Sequence, residues 1–280
     1  MSDSFASGTT SPPQMRGRPR VIAIANQKGG VGKTTTAINL ATAMAACESR
    51  VLIIDLDPQG NASTGLGIDR EARRVGSYAV LVEGQPIGTA IIDTLVPRLS
   101  LIPASVELVG AELELVNADR REHRLRDRLH GQVEDFDYVL IDCPPALGLL
   151  TLNALVAAET VMVPLQCEFF ALEGLSHLMR TIDRVKAGLN TGLSIQGLVL
   201  TMYDKRNKLC RYVEQDVRGY FGDKVYQTVI PRNVRVSEAP SHGKPVLLYD
   251  TACQGAQAYI RLAAEVLRRE RGPTEAVVAA

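Results

Sequence analysis

Apolar residues fall into two alternating patterns along this chain. One consists of short, nearly continuous apolar runs: Arg20–Ala25, Val51–Asp55, Leu99–Pro103, Asp137–Asp142, Thr160–Leu165 and Ile195–Tyr203. Such runs predict strands buried on both faces, as in a parallel sheet. The stretches between them repeat apolar residues at three- and four-residue spacing, which predicts helices over Thr35–Ala46, Val106–Val116, Arg121–Leu129, Leu172–Ala187, Leu209–Phe221 and Ala256–Arg271. The charges in Arg121–Leu129 predict a solvated face with an i,i+4 pair between Glu122 and Arg126. The longest apolar run, Leu149–Leu165, is interrupted by Asn153 and Glu159 and is short for a bilayer span. It reads as a helix followed by a buried strand. Strand–helix alternation predicts an α/β fold, a doubly wound and mostly parallel sheet with helices on both faces. Residues 20–271 are expected to form one domain, without repeat or linker. Residues 1–19, rich in Ser, Gly, Pro and Arg, read as a disordered tail, and Gly272-Pro273 stops the last helix before a tail over residues 272–280.

Composition narrows the function classes. The chain has 280 residues, 46% hydrophobic, with a net charge of zero. It is no polycation, so contact with nucleic acid requires a local basic patch. Its cysteines (Cys47, Cys143, Cys167, Cys210, Cys253) are scattered, with no C-x-x-C pair. This argues against a disulfide framework or a zinc site and fits a reducing cytoplasm. The first residues lack the apolar segment of a secretory signal.

The candidate chemistry sits where runs of the first kind end. The stretch NQKGGVGKTTT, Asn26 to Thr36, lies between a strand and a helix. That is the context in which a glycine-rich loop cradles phosphates. Gly29, Gly30, Val31 and Gly32 bring backbone N–H groups inward. Lys33 suits the β and γ phosphates, the Thr34 hydroxyl suits Mg²⁺, and Thr35 reaches the α phosphate. The ordinary pattern wants a glycine at position 27, where this chain has Gln27, and a second lysine follows at Lys28. Asp55 and Asp57, in DLDPQGN, end the second strand, where an open parallel sheet binds its ligands. One carboxylate there can orient an attacking water. DYVLIDCPP is an apolar strand ending in Asp142, the Walker B pattern, whose aspartate holds Mg²⁺ through a water. There is no guanine-reading N-K-x-D motif, which favours ATP over GTP.

With these motifs placed, residues from Arg20 to about Arg271 resemble the ParA/Soj family of chromosome and plasmid partition ATPases. KGGVGKTT resembles the deviant Walker A loop of that superfamily. DLDPQGNAS, LIDCPP, LTMYD and IPRNVRVSEAPSHGKPVLLYD resemble further family motifs. The resemblance implies that Lys28 reaches nucleotide in the other subunit of an ATP-bound homodimer. It matches Asp57 to the water-positioning aspartate, and it implies an adenine pocket near Met202 and Pro231. It also implies a DNA surface. Between Asp204 and Lys244 there are nine Lys/Arg against five Asp/Glu. Arg206 and Arg235 match family positions for non-specific DNA binding, with Lys205, Lys208, Arg211, Arg218 and Arg232 nearby.

The expectation is therefore an ATP- and Mg²⁺-dependent ATPase, cytoplasmic and nucleoid-associated. It dimerises with ATP, binds double-stranded DNA non-specifically, is switched off by a ParB-like centromere-binding partner and needs no membrane. Three rivals share the loop. A MinD-like membrane ATPase needs a C-terminal basic amphipathic helix, whereas this chain ends in GPTEAVVAA. A metal-cluster carrier needs paired cysteines. A nucleotide-sensing scaffold or repressor with negligible hydrolysis is separated from the first reading only by turnover measurements.

Overall fold

The computed structural model describes residues 18–271, and the expectations for residues 1–17 and 272–280 lie outside the described residues. The strands are β1 (Arg20–Ile24), β2 (Val51–Asp55), β3 (Ile92–Asp93), β4 (Leu99–Ile102), β5 (Tyr138–Asp142), β6 (Thr160–Gln166) and β7 (Ser194–Thr201). The helices are α1 (Lys33–Ala46), α2 (Asn61–Gly65), α3 (Leu108–Glu114), α4 (Arg124–Leu129), α5 (Leu149–Ala157), α6 (Ala171–Gly188), α7 (Lys208–Phe221), α8 (Val234–Glu238), α9 (Val246–Tyr249) and α10 (Gln254–Arg271). One sheet holds the strands in the order β3-β4-β2-β5-β1-β6-β7, parallel except for β3.

Successive strand residues face opposite sides, so each strand feeds two cores. Val21 and Ala23 of β1, with Leu52 and Ile54 of β2, pack under α3 to α7. Ile22 and Ile24, with Val51 and Ile53, pack under α1 and α10. That double burial explains why the strands read as continuous apolar runs rather than alternating ones.

Three local expectations change. The helix expected over Arg121–Leu129 starts as a 3₁₀ turn at Arg121–His123, and α4 begins only at Arg124. Glu122 therefore does not share a regular helical face with Arg126. It pairs with Arg121 at 3.1 Å, and Arg126 approaches Asp127 at 3.9 Å. The last strand stops at Thr201 rather than Tyr203, because Met202 takes φ 49°, a left-handed conformation no strand accommodates. The antiparallel edge strand β3 has no counterpart among the expected runs; at two residues it is too short to leave a period.

Gly197 of β7 is a close-approach position. A Cβ there would lie 2.5 Å from the ring of Tyr226 and 2.9 Å from the Lys224 carbonyl. Tyr226 is fully buried, with the Arg269 guanidinium 4.2 Å from its ring centroid. Gly197→Ala is expected to cost about 1–3 kcal/mol, the usual cost of overpacking. Urea denaturation would register this as a lower midpoint at unchanged slope.

Candidate active site

Parallel register brings the chemistry together. Asp142 at the end of β5 is the cross-strand partner of Ile24 on β1 and of Asp55 on β2. It thus lies between the strand that feeds the glycine-rich loop and the strand that feeds the Asp57 turn. A cleft of about 770 Å³ opens above these strand ends. Gly29, Gly30, Gly32, Lys33, Thr34, Thr35, Asp57, Pro145 and Met202 are among the residues that line it.

The loop is built for an anion. Gly32 caps α1 at φ 87°, and no acidic side chain lies in the first turn. The first backbone N–H groups of a helix have no intrahelical acceptor, so they face the cleft with the positive end of the helix dipole. Val31 is buried beneath, and its carbonyl accepts from Thr201 Oγ1 at 2.7 Å, which ties the loop to the end of β7. Lys33 is 6% exposed, and its ammonium donates to the Lys28 carbonyl at 3.1 Å. Burial lowers its pKa, against the charges of Asp142 and Asp57.

The three carboxylates have different surroundings. Asp55 is fully buried and saturated: it accepts from Ser63 N at 2.9 Å, Ser63 Oγ at 2.7 Å and Asp57 N at 3.2 Å. Burial still pushes its pKa up to about 6. Asp55 therefore holds the turn together and is not the group that faces the cleft. Asp57 lines the cleft, its Oδ1 accepting from Gln59 N at 3.0 Å. Asp142 is fully buried, and neither of its oxygens has a hydrogen-bond partner of ordinary geometry. Burial, then the charge of Asp55, hold its carboxyl well above the usual range, while the Thr34 hydroxyl and Lys33 act in the opposite direction. A buried carboxylate without donors, beside a threonine hydroxyl that lines a polyanion cleft, fits a divalent cation, which would satisfy both the charge and the orphaned oxygens.

Other sequence-expected residues fall elsewhere. Lys28 lies outside the cleft lining and pairs with Glu168. Pro231 is not among the lining residues; it is bridged to Tyr203. Lys205, Arg206, Lys208 and Arg211 are exposed at the start of α7 or just before it, and Arg206 pairs with Asp204 at 3.1 Å. Arg232 is exposed, and exposed Arg235 lies 3.0 Å from Glu238 and 3.5 Å from Asp250. Arg218 differs from the rest: it is half-buried and committed to Glu214 at 2.9 Å and the Tyr226 carbonyl at 3.2 Å. Sequence reasoning gave no role to Ser63 or Thr201, although both lie inside quoted motifs (DLDPQGNAS and LTMYD), and it missed Glu168, which meets Lys28 from 140 positions away without a local motif. It also missed Asn26, whose side chain donates to the Pro164 carbonyl at 2.8 Å and accepts from Lys28 N at 3.0 Å. An asparagine just before a lysine-glycine turn is a local signal that points to this arrangement.

Comparison with known proteins settles the family. A profile of the AAA domain family matches residues 19–195. The chain is 63% identical over 254 residues to the chromosome partitioning protein ParA of Caulobacter vibrioides, covering 90% of this chain and 95% of that protein. The chain belongs to the ParA/Soj family of chromosome-partitioning ATPases. Its likeness to the sporulation initiation inhibitor protein Soj of Bacillus subtilis is 53% over 247 residues, covering 88% and 98%. Among solved structures, it is similar to cobyrinic acid a,c-diamide synthase from Mycobacterium smegmatis with bound ATP analogue and magnesium. There the TM-score is 0.79 and the identity 38%, covering 91% of this chain and 96% of that one. That TM-score places this chain and that protein in the same fold.

Asp142→Asn is expected to raise thermal stability in the absence of magnesium and nucleotide. A carboxyl whose folded pKa is raised favours the protonated fold, so wild-type stability falls as pH rises from the ordinary carboxylate range through the raised value. Asn carries no such penalty. At pH 8 the variant should melt above wild type, and the gain should shrink as the pH is lowered. Magnesium-dependent protection by ATP should be lost. Scanning calorimetry between pH 6 and 8 tests both.

Proposed function

We propose that this chain is a DNA-partition ATPase that hydrolyses ATP with Mg²⁺, dimerises when ATP is bound, and holds non-specific double-stranded DNA in that form. The carrying observation is the division of labour between two lysines of one loop. Lys33 is buried in the phosphate cleft, whereas Lys28 stands outside it, half-exposed, with its ammonium turned to Glu168. A lysine in that position is available to nucleotide bound by a second copy of the chain. It would offset the repulsion between two facing polyanions and make assembly depend on ATP.

Thr34 and Asp142 would hold Mg²⁺, which supplies charge neutralisation on the phosphate oxygens. Lys33 and the loop N–H groups bind the phosphates. Asp57, at the rim of the cleft beside Pro58, orients the attacking water. The exposed cations Lys205, Arg206, Lys208, Arg211, Arg232 and Arg235 form the DNA face, while Arg218 supports α7 from within. Among the described residues no base-reading element accompanies them, and binding is read as phosphate-directed and salt-sensitive. Dimerisation doubles that face, so ATP controls DNA affinity through avidity. A ParB-like centromere-binding partner stimulates hydrolysis and releases each half from the nucleoid.

Substitution of the two lysines tests the reading. Lys33→Ala should lose nucleotide binding, because the phosphates lose their in-site cation. Lys28→Ala should bind nucleotide within a few-fold of wild type but fail to dimerise with a slowly hydrolysed ATP analogue. A normal dimer peak from Lys28→Ala in size-exclusion chromatography defeats the trans role. Arg235→Glu should weaken DNA binding on the order of tenfold or more at moderate salt while dimerisation persists. Equal DNA affinity for that variant and wild type removes this surface from the account.

A further inference from the structure

Lys28 has a partner within its own subunit, and the fold goes to some length to provide it. The Lys28 backbone N–H is held by Asn26 Oδ1 at 3.0 Å, and Asn26 is buried and anchored on the Pro164 carbonyl of β6 at 2.8 Å. β1 and β6 are neighbours, with Ile24 opposite Met162. Their extensions therefore run side by side beyond the sheet, and Glu168 follows the end of β6 by two residues. The Glu168 loop is itself fixed. Its N–H donates to the Gln166 carbonyl at 2.9 Å, Ala171 N donates to its carbonyl at 2.9 Å, and the buried Cys167 carbonyl faces Cys210 Sγ of α7 at 3.5 Å. On its outer side the same loop exposes Phe169 and Phe170, 75% and 64% accessible. At the end of this arrangement the Glu168 carboxylate pairs with the Lys28 ammonium. Lys33 is engaged in the same way, on the Lys28 carbonyl.

We propose that Glu168 is a positioning residue that holds the Lys28 ammonium in its own subunit, so that dimer formation has to break this ion pair in both subunits. The proposal rests on the dimer reading above. Both members are about two-fifths exposed, so the pair adds little to folding stability; its effect is on where Lys28 points. Exposed pairs of this kind shift an equilibrium by about 1.4- to 5-fold. A dimer opens two of them, so the threshold for assembly is set about 2- to 30-fold higher than the nucleotide contacts alone would set it. The pair thus acts as a latch against assembly at low ATP, and it weakens as salt screens it.

The test compares wild type, Glu168→Gln and Glu168→Asp as full-length chains, each checked for an unchanged melting profile. Sedimentation with a saturating, slowly hydrolysed ATP analogue gives the dimer dissociation constant. It should fall by about 2- to 30-fold in Glu168→Gln at low salt and converge with wild type near 1 M salt, while Glu168→Asp lies closer to wild type. A second readout needs no dimer. The rate of acylation of the Lys28 amine without added nucleotide, followed by peptide mass spectrometry, should rise severalfold in Glu168→Gln. If wild type dimerises but Glu168→Gln dimerises equally or more weakly, the latch is overturned and the dimer reading stands. An unchanged acylation rate overturns it as well. If wild type fails to dimerise, both fall.

Discussion

The site depends on one electrostatic constraint: three carboxylates crowd the ends of two strands with a single buried ammonium among them. Parallel register sets Asp55 and Asp142 opposite each other, and the tight turn after Asp55 brings Asp57 back to the same edge. Left alone, such a cluster would protonate or unfold. The fold deals with each member differently. Asp55 is saturated by Ser63 and the Asp57 N–H, Asp57 reaches the open cleft, and Asp142 keeps two buried oxygens without donors. Only the last is an unmet demand, and it lies beside Thr34 and Lys33 of the cleft lining. In the proposed cycle, a cation bound there would recover the stability given up at Asp142.

The second constraint is the seam between the loop and the end of β7. Thr201 Oγ1 holds the Val31 carbonyl, and Met202 then takes a left-handed conformation that ends the strand and puts its side chain on the cleft wall. Immediately beyond, the Tyr203 hydroxyl bonds Glu214 of α7, and Arg218 joins Glu214 to the Tyr226 carbonyl. A strained non-glycine residue persists only where its surroundings fix it on both sides, and here they do. The same short stretch of chain therefore borders the nucleotide cleft on one side and carries the exposed cations of α7 on the other. It is a contiguous structural connection between the two surfaces that the proposed cycle has to coordinate.

Much of this was legible in the residues. Doubly buried strands leave continuous apolar runs, so all the parallel strands were foreseen, most within a residue or two of their ends. The glycine-rich loop, Lys33, Thr34, Asp57 and Asp142 could be picked out as neighbours at the strand ends, because each sits at a fixed spacing beside the end of an apolar run. Those features are local, and a sequence carries local constraints openly. What it did not carry was pairing over distance. Even within the short stretch DLDPQGNAS, the residues do not say that the Asp55 carboxylate is engaged by Ser63 while Asp57 lines the cleft. Nothing near Lys28 indicates that its ammonium meets a glutamate 140 positions away, and the Glu122–Arg126 pair failed because helix α4 begins two residues too late. Arg218 reads in sequence like its basic neighbours, yet tertiary packing turns it inward. The sequence by itself determined the fold class and the inventory of reactive groups, because these follow from periodicity and short motifs. Tertiary structure alone decided which of those groups is free to act, because hydrogen-bond saturation and burial are set by residues that meet only after the sheet has closed its register.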